Sequence, residues 1–144
     1  MLPLSILVSS VKSLPANAGK GKVVVFGGSG WVGSHVCSNL NKQGYDVVSI
    51  SRSTDDVQIA RTKSILGSPL SGVQYLNLDA ATASSDDLSA AMKDSLAVIS
   101  CVGIAPGGKD VKEGNSIPNS NIAKAAKLAG VPKVVYIGVA SECM

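Results

Sequence analysis

Gly27, Gly28, Gly30 and Gly33 lie in the run Gly-Gly-Ser-Gly-Trp-Val-Gly, and their spacing points to phosphate chemistry. The run satisfies GxxGxxG from Gly27 and GxGxxG from Gly28. It follows the β-branched stretch Lys22–Phe26 and opens a segment of helical character, the context a dinucleotide fingerprint requires. Early glycines permit a sharp turn with no Cβ in the way. A glycine facing a pyrophosphate lets backbone N–H groups approach it, and Gly33 lets the helix pack closely on the strand. The helix N-terminus then offers unpaired N–H groups and positive dipole to the phosphates. Ser29, Trp31 and Val32 complete the expected binding turn. The competing expectation is a glycine-rich turn that packs a helix and binds nothing.

A second group, Ser51-Arg52-Ser53, follows about twenty residues on. An NAD-preferring site places Asp or Glu here to accept the ribose hydroxyls. A guanidinium instead grips a 2′-phosphate through charge-assisted bonds, and serine hydroxyls add donors. NADP(H) is therefore expected ahead of NAD(H), which stays open. The alternative is a solvated Arg52 paired with Asp55 or Asp56. Asp79, closing a later apolar run, either receives an adenine amino group or caps the segment that follows.

Other chemistry is sparse. Cys37, Cys101 and Cys143 are far apart, form no CxxC pair, and accompany one histidine, His35. That excludes a structural zinc site and suits a reducing compartment. His35 falls in the first turn of the helix after the glycines, where a surface or packing role is expected.

These groups need a scaffold. The chain has 144 residues, 45% of them apolar and 16% charged, enough for one domain with a real core and too apolar for disorder. Aromatics at 3% disfavour stacking on single-stranded nucleic acid. A formal charge of +3 is too weak to argue for any nucleic-acid partner. From Lys20 onward strand and helix signals alternate. Strands are expected at Lys22–Phe26, Asp46–Ser51, Gly72–Leu78, Ala97–Val102 and Lys133–Val139. Helices are expected at Ser34–Gln43, Asp55–Leu66, Asp86–Lys93 and Asn119–Ala129, with Ile104–Gly114 as a loop. The pattern predicts an α/β fold, a doubly wound parallel sheet in order 3-2-1-4-5, ending after strand five.

Residues 1–20 differ in character from residues 21–144, the expected nucleotide-binding domain. Met1–Ser13 is apolar but too short to span a membrane, and no acid precedes Asp46. The stretch reads as a transit-peptide remnant or an N-terminal arm; a signal peptide and an ordered extension are the alternatives.

On these residues the chain resembles the atypical short-chain dehydrogenase/reductase family of Rossmann proteins. The resemblance rests on Gly27–Gly33, the Arg52 turn, Leu78-Asp79, Ser100-Cys101-Val102-Gly103, and residues 123–141, and it spans about residues 22–141. Within the family it is most similar to plastid and mitochondrial members: the dehydrogenase-like accessory subunit of complex I, and coenzyme Q–associated and photosystem-assembly proteins. The resemblance implies that Cys101, Val102 and Gly103 border the nicotinamide ribose. It places Asn115 and Asn119 at the family's asparagine positions, with helix capping around Pro118 as the alternative. It sets Ser141 near the position of a catalytic serine.

Active members carry Tyr-x-x-x-Lys, in which the tyrosine donates the proton and the lysine lowers its pKa. Here Tyr136 is followed four residues on by Ala140, and it falls inside a strand, where sheet packing is expected. No catalytic residue is assigned. The expectation is a cofactor-stabilised accessory or assembly subunit of an organelle membrane-protein complex, in a plastid or mitochondrion, with no transmembrane span of its own. The alternative is the cofactor-binding half of an NADPH-dependent enzyme whose catalytic part lies beyond Met144.

Overall fold

Lys22–Phe26 (β1) is a run of β-branched and aromatic residues with four of its five positions buried, so it can only be the middle of a sheet. The computed structural model describes residues 18–103 and 111–138. It places β1 between Asp46–Ser51 (β2) and Ser95–Ser100 (β4), with Gln74–Asn77 (β3) and Val134–Tyr136 (β5) at the edges. All four pairings are parallel and the order is β3-β2-β1-β4-β5, as the alternating pattern predicts. The expected boundary at residue 20 falls beside a short 3-10 turn at Ala18–Lys20. The rest of the proposed arm, and Cys143 and Ser141, lie outside the described residues.

The helices are Trp31–Lys42 (α1), Asp55–Leu66 (α2), Ser85–Met92 (α3) and Val111–Leu128 (α4). Strand alternation sends side chains to two cores. Val24, Phe26, Val48, Ile50 and Val98 pack with Leu88 and Met92 of α3 and Ile122, Ala125 and Ala126 of α4. Val23, Val25 and Val47 pack on the other face with Cys37 of α1. Caps end or begin the helices where the sequence supplies them. Gly67 adopts φ +84° after α2 and donates its N–H to the Lys63 carbonyl. The Ser84 hydroxyl accepts from the Asp87 N–H at the start of α3.

Three expectations are corrected. α1 begins at Trp31 rather than Ser34, so Gly33 lies inside its first turn. α4 begins at Val111 rather than Asn119 and carries Pro118 within it. Pro118 is buried, and the apolar face that follows it packs on the sheet, so tertiary burial overrides the breaker. At the far edge, β5 is exposed at Val134, Val135 and Tyr136. Tyr136 is 55% exposed rather than packed, because β5 has a neighbour on one side only among the described residues.

The polar interior is as organised as the apolar one. Gln58 of α2 is fully buried and accepts from the Ser49 hydroxyl at 3.1 Å. Its amide donates to the Ser53 carbonyl at 3.1 Å and the Leu76 carbonyl at 2.8 Å, tying α2 to the ends of β2 and β3. Gln58→Leu strands both carbonyls without a donor. It is expected to lower stability to urea by about 2–4 kcal/mol; a loss below about 1 kcal/mol would mean that water replaces the amide.

Candidate functional site

Parallel strands end together, and where the order reverses their C-terminal ends open a crevice. Here the reversal lies between β1 and β4, and a cleft of about 540 Å³ opens there, within the range of small-molecule sites. Its floor is Gly27, Ser29 and Gly30; one wall is Ser51, Arg52 and Ser53; the other is Cys101, Val102 and Gly103. Asp79 and Pro118 close the rim.

The glycine turn is built by backbone contacts. Gly27 adopts φ +73°, a left-handed conformation that favours glycine, and donates its N–H to the Ile50 carbonyl at 2.8 Å. The Gly30 N–H returns to the Gly27 carbonyl at 3.1 Å, and the Ser34 N–H bonds to the Gly30 carbonyl at 2.9 Å. A Cβ on Gly33 would overlap the Gly27 carbonyl, so the third glycine is what lets α1 close on β1. A Cβ on Gly28 would overlap the Ser49 hydroxyl and crowd the Cys37 sulfur. Gly30 is the N-cap of α1 and makes no side-chain cap bond, which leaves the first-turn N–H groups available for an anion at the cleft floor.

Ten of the fourteen residues singled out in the sequence line this cleft. The other four shape it from outside. Gly28 and Gly33 face inward contacts. Trp31 and Val32 are exposed, and the Trp31 ring meets His35 edge-to-face at 5.4 Å. Asp79 uses its carboxylate to accept from the Ala81 N–H at 2.9 Å, so it caps its own turn at the cleft rim.

Arg61 escaped the sequence reading. It projects from α2 into the cleft, donating to the Ser29 hydroxyl at 3.3 Å and the Ser53 hydroxyl at 3.2 Å. The signal was periodic: Gln58 and Thr62 mark the buried face of α2, and Arg61 borders it. Helical side chains lean toward the N-terminus, which carries this guanidinium up to the end of β2. Two arginines, Arg52 and Arg61, line the cleft beside Ser51 and Ser53.

The opposite wall hangs on Asn119. Its carboxamide oxygen accepts from the Ser100 hydroxyl. Its nitrogen donates to the Val102 carbonyl at 3.1 Å and the Asn115 carbonyl at 2.7 Å. Asn121 donates to the Ala80 carbonyl at 2.9 Å. α4 is thus stitched to the ends of both β4 and β3. A Cβ on Gly103 would press on the Asn115 side chain, so the two asparagine positions act on the 101–103 segment.

A family model described as NmrA-like matches residues 19–143. The chain belongs to the NmrA-like family. This NmrA-like chain is 34% identical over 122 residues to an uncharacterized chloroplastic protein of Arabidopsis thaliana, covering 82% of this chain and 36% of that protein. Among solved structures, the UDP-glucose 4-epimerase of Stenotrophomonas maltophila, with bound NAD and formylated UDP-arabinopyranose, superposes with a TM-score of 0.65. The identity is 24%, over 81% of this chain and 36% of that one. The UDP-glucose 4-epimerase of Bifidobacterium longum, in complex with NAD+ and UDP, gives 0.65 at 23% identity, over 83% and 37%. The NmrA-like chain therefore spans little more than a third of the length of these relatives, and the solved structures establish the Rossmann-type fold. No group of metal ligands occurs among the described residues.

The two described cysteines sit either side of the glycine turn and are poor nucleophiles. Burial, with a further push from Cys101 and opposed by a hydrogen bond to Ser49, raises the Cys37 thiol from 9.0 to about 12. Burial alone raises Cys101 to about 11. Both thiols stay protonated at neutral pH. Their contribution to stability is complete below pH 9 and is lost as pH climbs toward the folded values. Iodoacetamide at pH 8 is expected to spare Cys37 and Cys101 in the folded chain and to label both in concentrated urea, read by peptide mass spectrometry.

Proposed function

We propose that this chain binds a nicotinamide dinucleotide, preferably NADP(H), with its pyrophosphate on the Gly27–Gly30 turn and its 2′-phosphate between Arg52 and Arg61. The observation that carries this is that both arginines line the cleft at the Ser51–Ser53 wall, with Arg61 spanning from Ser53 to Ser29 of the glycine turn. A carboxylate at that wall would suit an unphosphorylated ribose; two cations suit a phosphate. The NAD in the epimerase structures supports the dinucleotide, and Arg52 and Arg61 support the extra phosphate. Asp79 and Ala81 would then flank the adenine, and Cys101, Val102 and Gly103 the nicotinamide ribose.

In this reading the chain contributes a bound cofactor rather than a complete reaction. Among the described residues, the titratable groups at the cleft are Arg52, Arg61, Asp79 and Cys101. Burial holds the Cys101 thiol protonated, its pKa raised to about 11. A cofactor-stabilised accessory role in a plastid is the reading we favour, and the chloroplastic relative supports the compartment. The second reading is the nucleotide-binding part of an oxidoreductase or epimerase-like enzyme. It is favoured by solved neighbours in which the matched segment is about a third of a sugar-nucleotide enzyme. Hydride transfer from NADPH by this chain alone would decide for the second.

Calorimetric titration tests the binding. NADP+ is expected to bind more tightly than NAD+. Arg52→Ala and Arg61→Ala should each weaken NADP+ by about 1.5–3 kcal/mol, roughly tenfold to a hundredfold, and change NAD+ less than about threefold. Equal losses for both cofactors would remove the 2′-phosphate assignment. Absence of binding by the unaltered chain would remove the reading itself.

A further inference from the structure

The two ends of the sheet carry opposite charge. At the cleft end, Asp55 and Asp56 open α2, Asp86 and Asp87 open α3, and Asp79 stands at the rim, five carboxylates against the two arginines Arg52 and Arg61. At the other end, where strands begin and helices finish, the charges are lysines. Lys42, Lys63 and Lys127 occupy the last turns of α1, α2 and α4. Lys20 and Lys22 lead into β1, Lys93 leads into β4 and Lys133 into β5. Asp46 and Asp94 are the carboxylates at that end among the described residues. Seven ammonium groups thus face two carboxylates in a chain whose whole formal charge is +3.

Helix dipoles account for three of these lysines, because a cation in the last turn meets the partial negative charge of free carbonyls. They do not account for the four at strand starts, where sheets have little net dipole. Lys22 donates its ammonium to the Lys93 carbonyl at 3.2 Å, which fixes two cationic residues side by side. The sheet order puts Lys22, Lys93 and Lys133 at the starts of the neighbouring strands β1, β4 and β5, about 4.8 Å apart per strand. Two leucines are exposed in the same region: Leu96, second residue of β4, at 46%, and Leu128, beside Lys127 at the end of α4, at 68%.

We propose that this lysine-rich end of the sheet docks on an anionic lipid bilayer and leaves the cleft facing away from it. The described arginines, Arg52 and Arg61, both belong to the cleft, and the described cations at the docking end are all lysines. Arginine grips individual phosphates in fixed geometry, whereas flexible ammonium groups suit the spread field of anionic headgroups. Exposed leucines among them fit the boundary between headgroups and acyl chains and have no counterpart on a nucleic-acid backbone. No described helix is long and apolar enough to cross a membrane. The proposal is independent of the cofactor assignment.

Vesicle co-sedimentation of the full chain tests it. Phosphatidylcholine vesicles containing phosphatidylglycerol should bind at least about tenfold more strongly than phosphatidylcholine alone, and high salt should release the chain. Lys22→Glu with Lys93→Glu and Lys133→Glu should reduce binding at least about tenfold, with NADP+ titration and circular dichroism unchanged. Lys124→Glu, on the exposed flank of α4, should change it little. Leu96→Asp and Leu128→Asp should each weaken vesicle binding, which a purely ionic contact would not show. Equal binding to neutral vesicles, loss of binding through Ile6→Asp but not through the lysine variants, or tighter binding to RNA or polyglutamate than to vesicles would overturn the proposal. Should the triple variant fail to fold, the salt release and the two leucine variants decide.

Discussion

The contact between Gly33 and the Gly27 carbonyl leaves no room for a side chain, and the architecture of the cleft follows from it. Because α1 can lie that close to the end of β1, its first-turn N–H groups sit directly over the sheet's point of reversal. The turn itself is held by backbone bonds from Gly27 to Ile50 and from Gly30 to Gly27, so its position is fixed by β2 as well as β1. Behind it Ser49 and Cys37 fill the space that Gly28 vacates, and Ser49 in turn gives its hydroxyl to Gln58. One close approach of backbones thereby connects the cleft floor, the second strand and the second helix.

Polar side chains then do at the cleft walls what apolar ones do in the core. Gln58 ties the Arg52 wall to α2 and β3, and Asn119 ties the Cys101 wall to α4. Each uses several hydrogen-bonding atoms of one buried or half-buried amide, an arrangement that specifies geometry because a partial match leaves groups unpaired. Arg61 stands across the gap between floor and wall, reaching Ser29 with one nitrogen and Ser53 with another.

Much of this was legible in the residues. Hydrophobic runs between glycine and proline signals give the strands and their order, because a parallel alternation with a fingerprint after β1 admits few topologies. The fingerprint and the Arg52 turn locate the cleft floor and one wall. What escaped has a common physical origin: it depends on three-dimensional neighbours rather than on local pattern. Arg61 is an ordinary helix residue until α2 packs beside β2. The start of α4 is hidden by Pro118, which reads as a breaker locally but is buried at the cleft rim. Tyr136 reads as a packed strand residue, although packing requires a partner for β5 that the described residues do not supply.

Pro118 has a mechanical consequence. It has no N–H to offer Gly114 one turn earlier, so α4 loses a rung of its ladder where it passes from the core to the cleft. The half bearing Ile122, Ala125 and Ala126 is clamped to the sheet. The half bearing Gly114 and Ile117 forms cleft wall and is joined to the first at a weakened rung. The missing rung thus falls at the boundary between the part of α4 that the core holds and the part that lines the cleft, and the Asn119 amide, bonded to the Asn115 carbonyl, spans that boundary in its place.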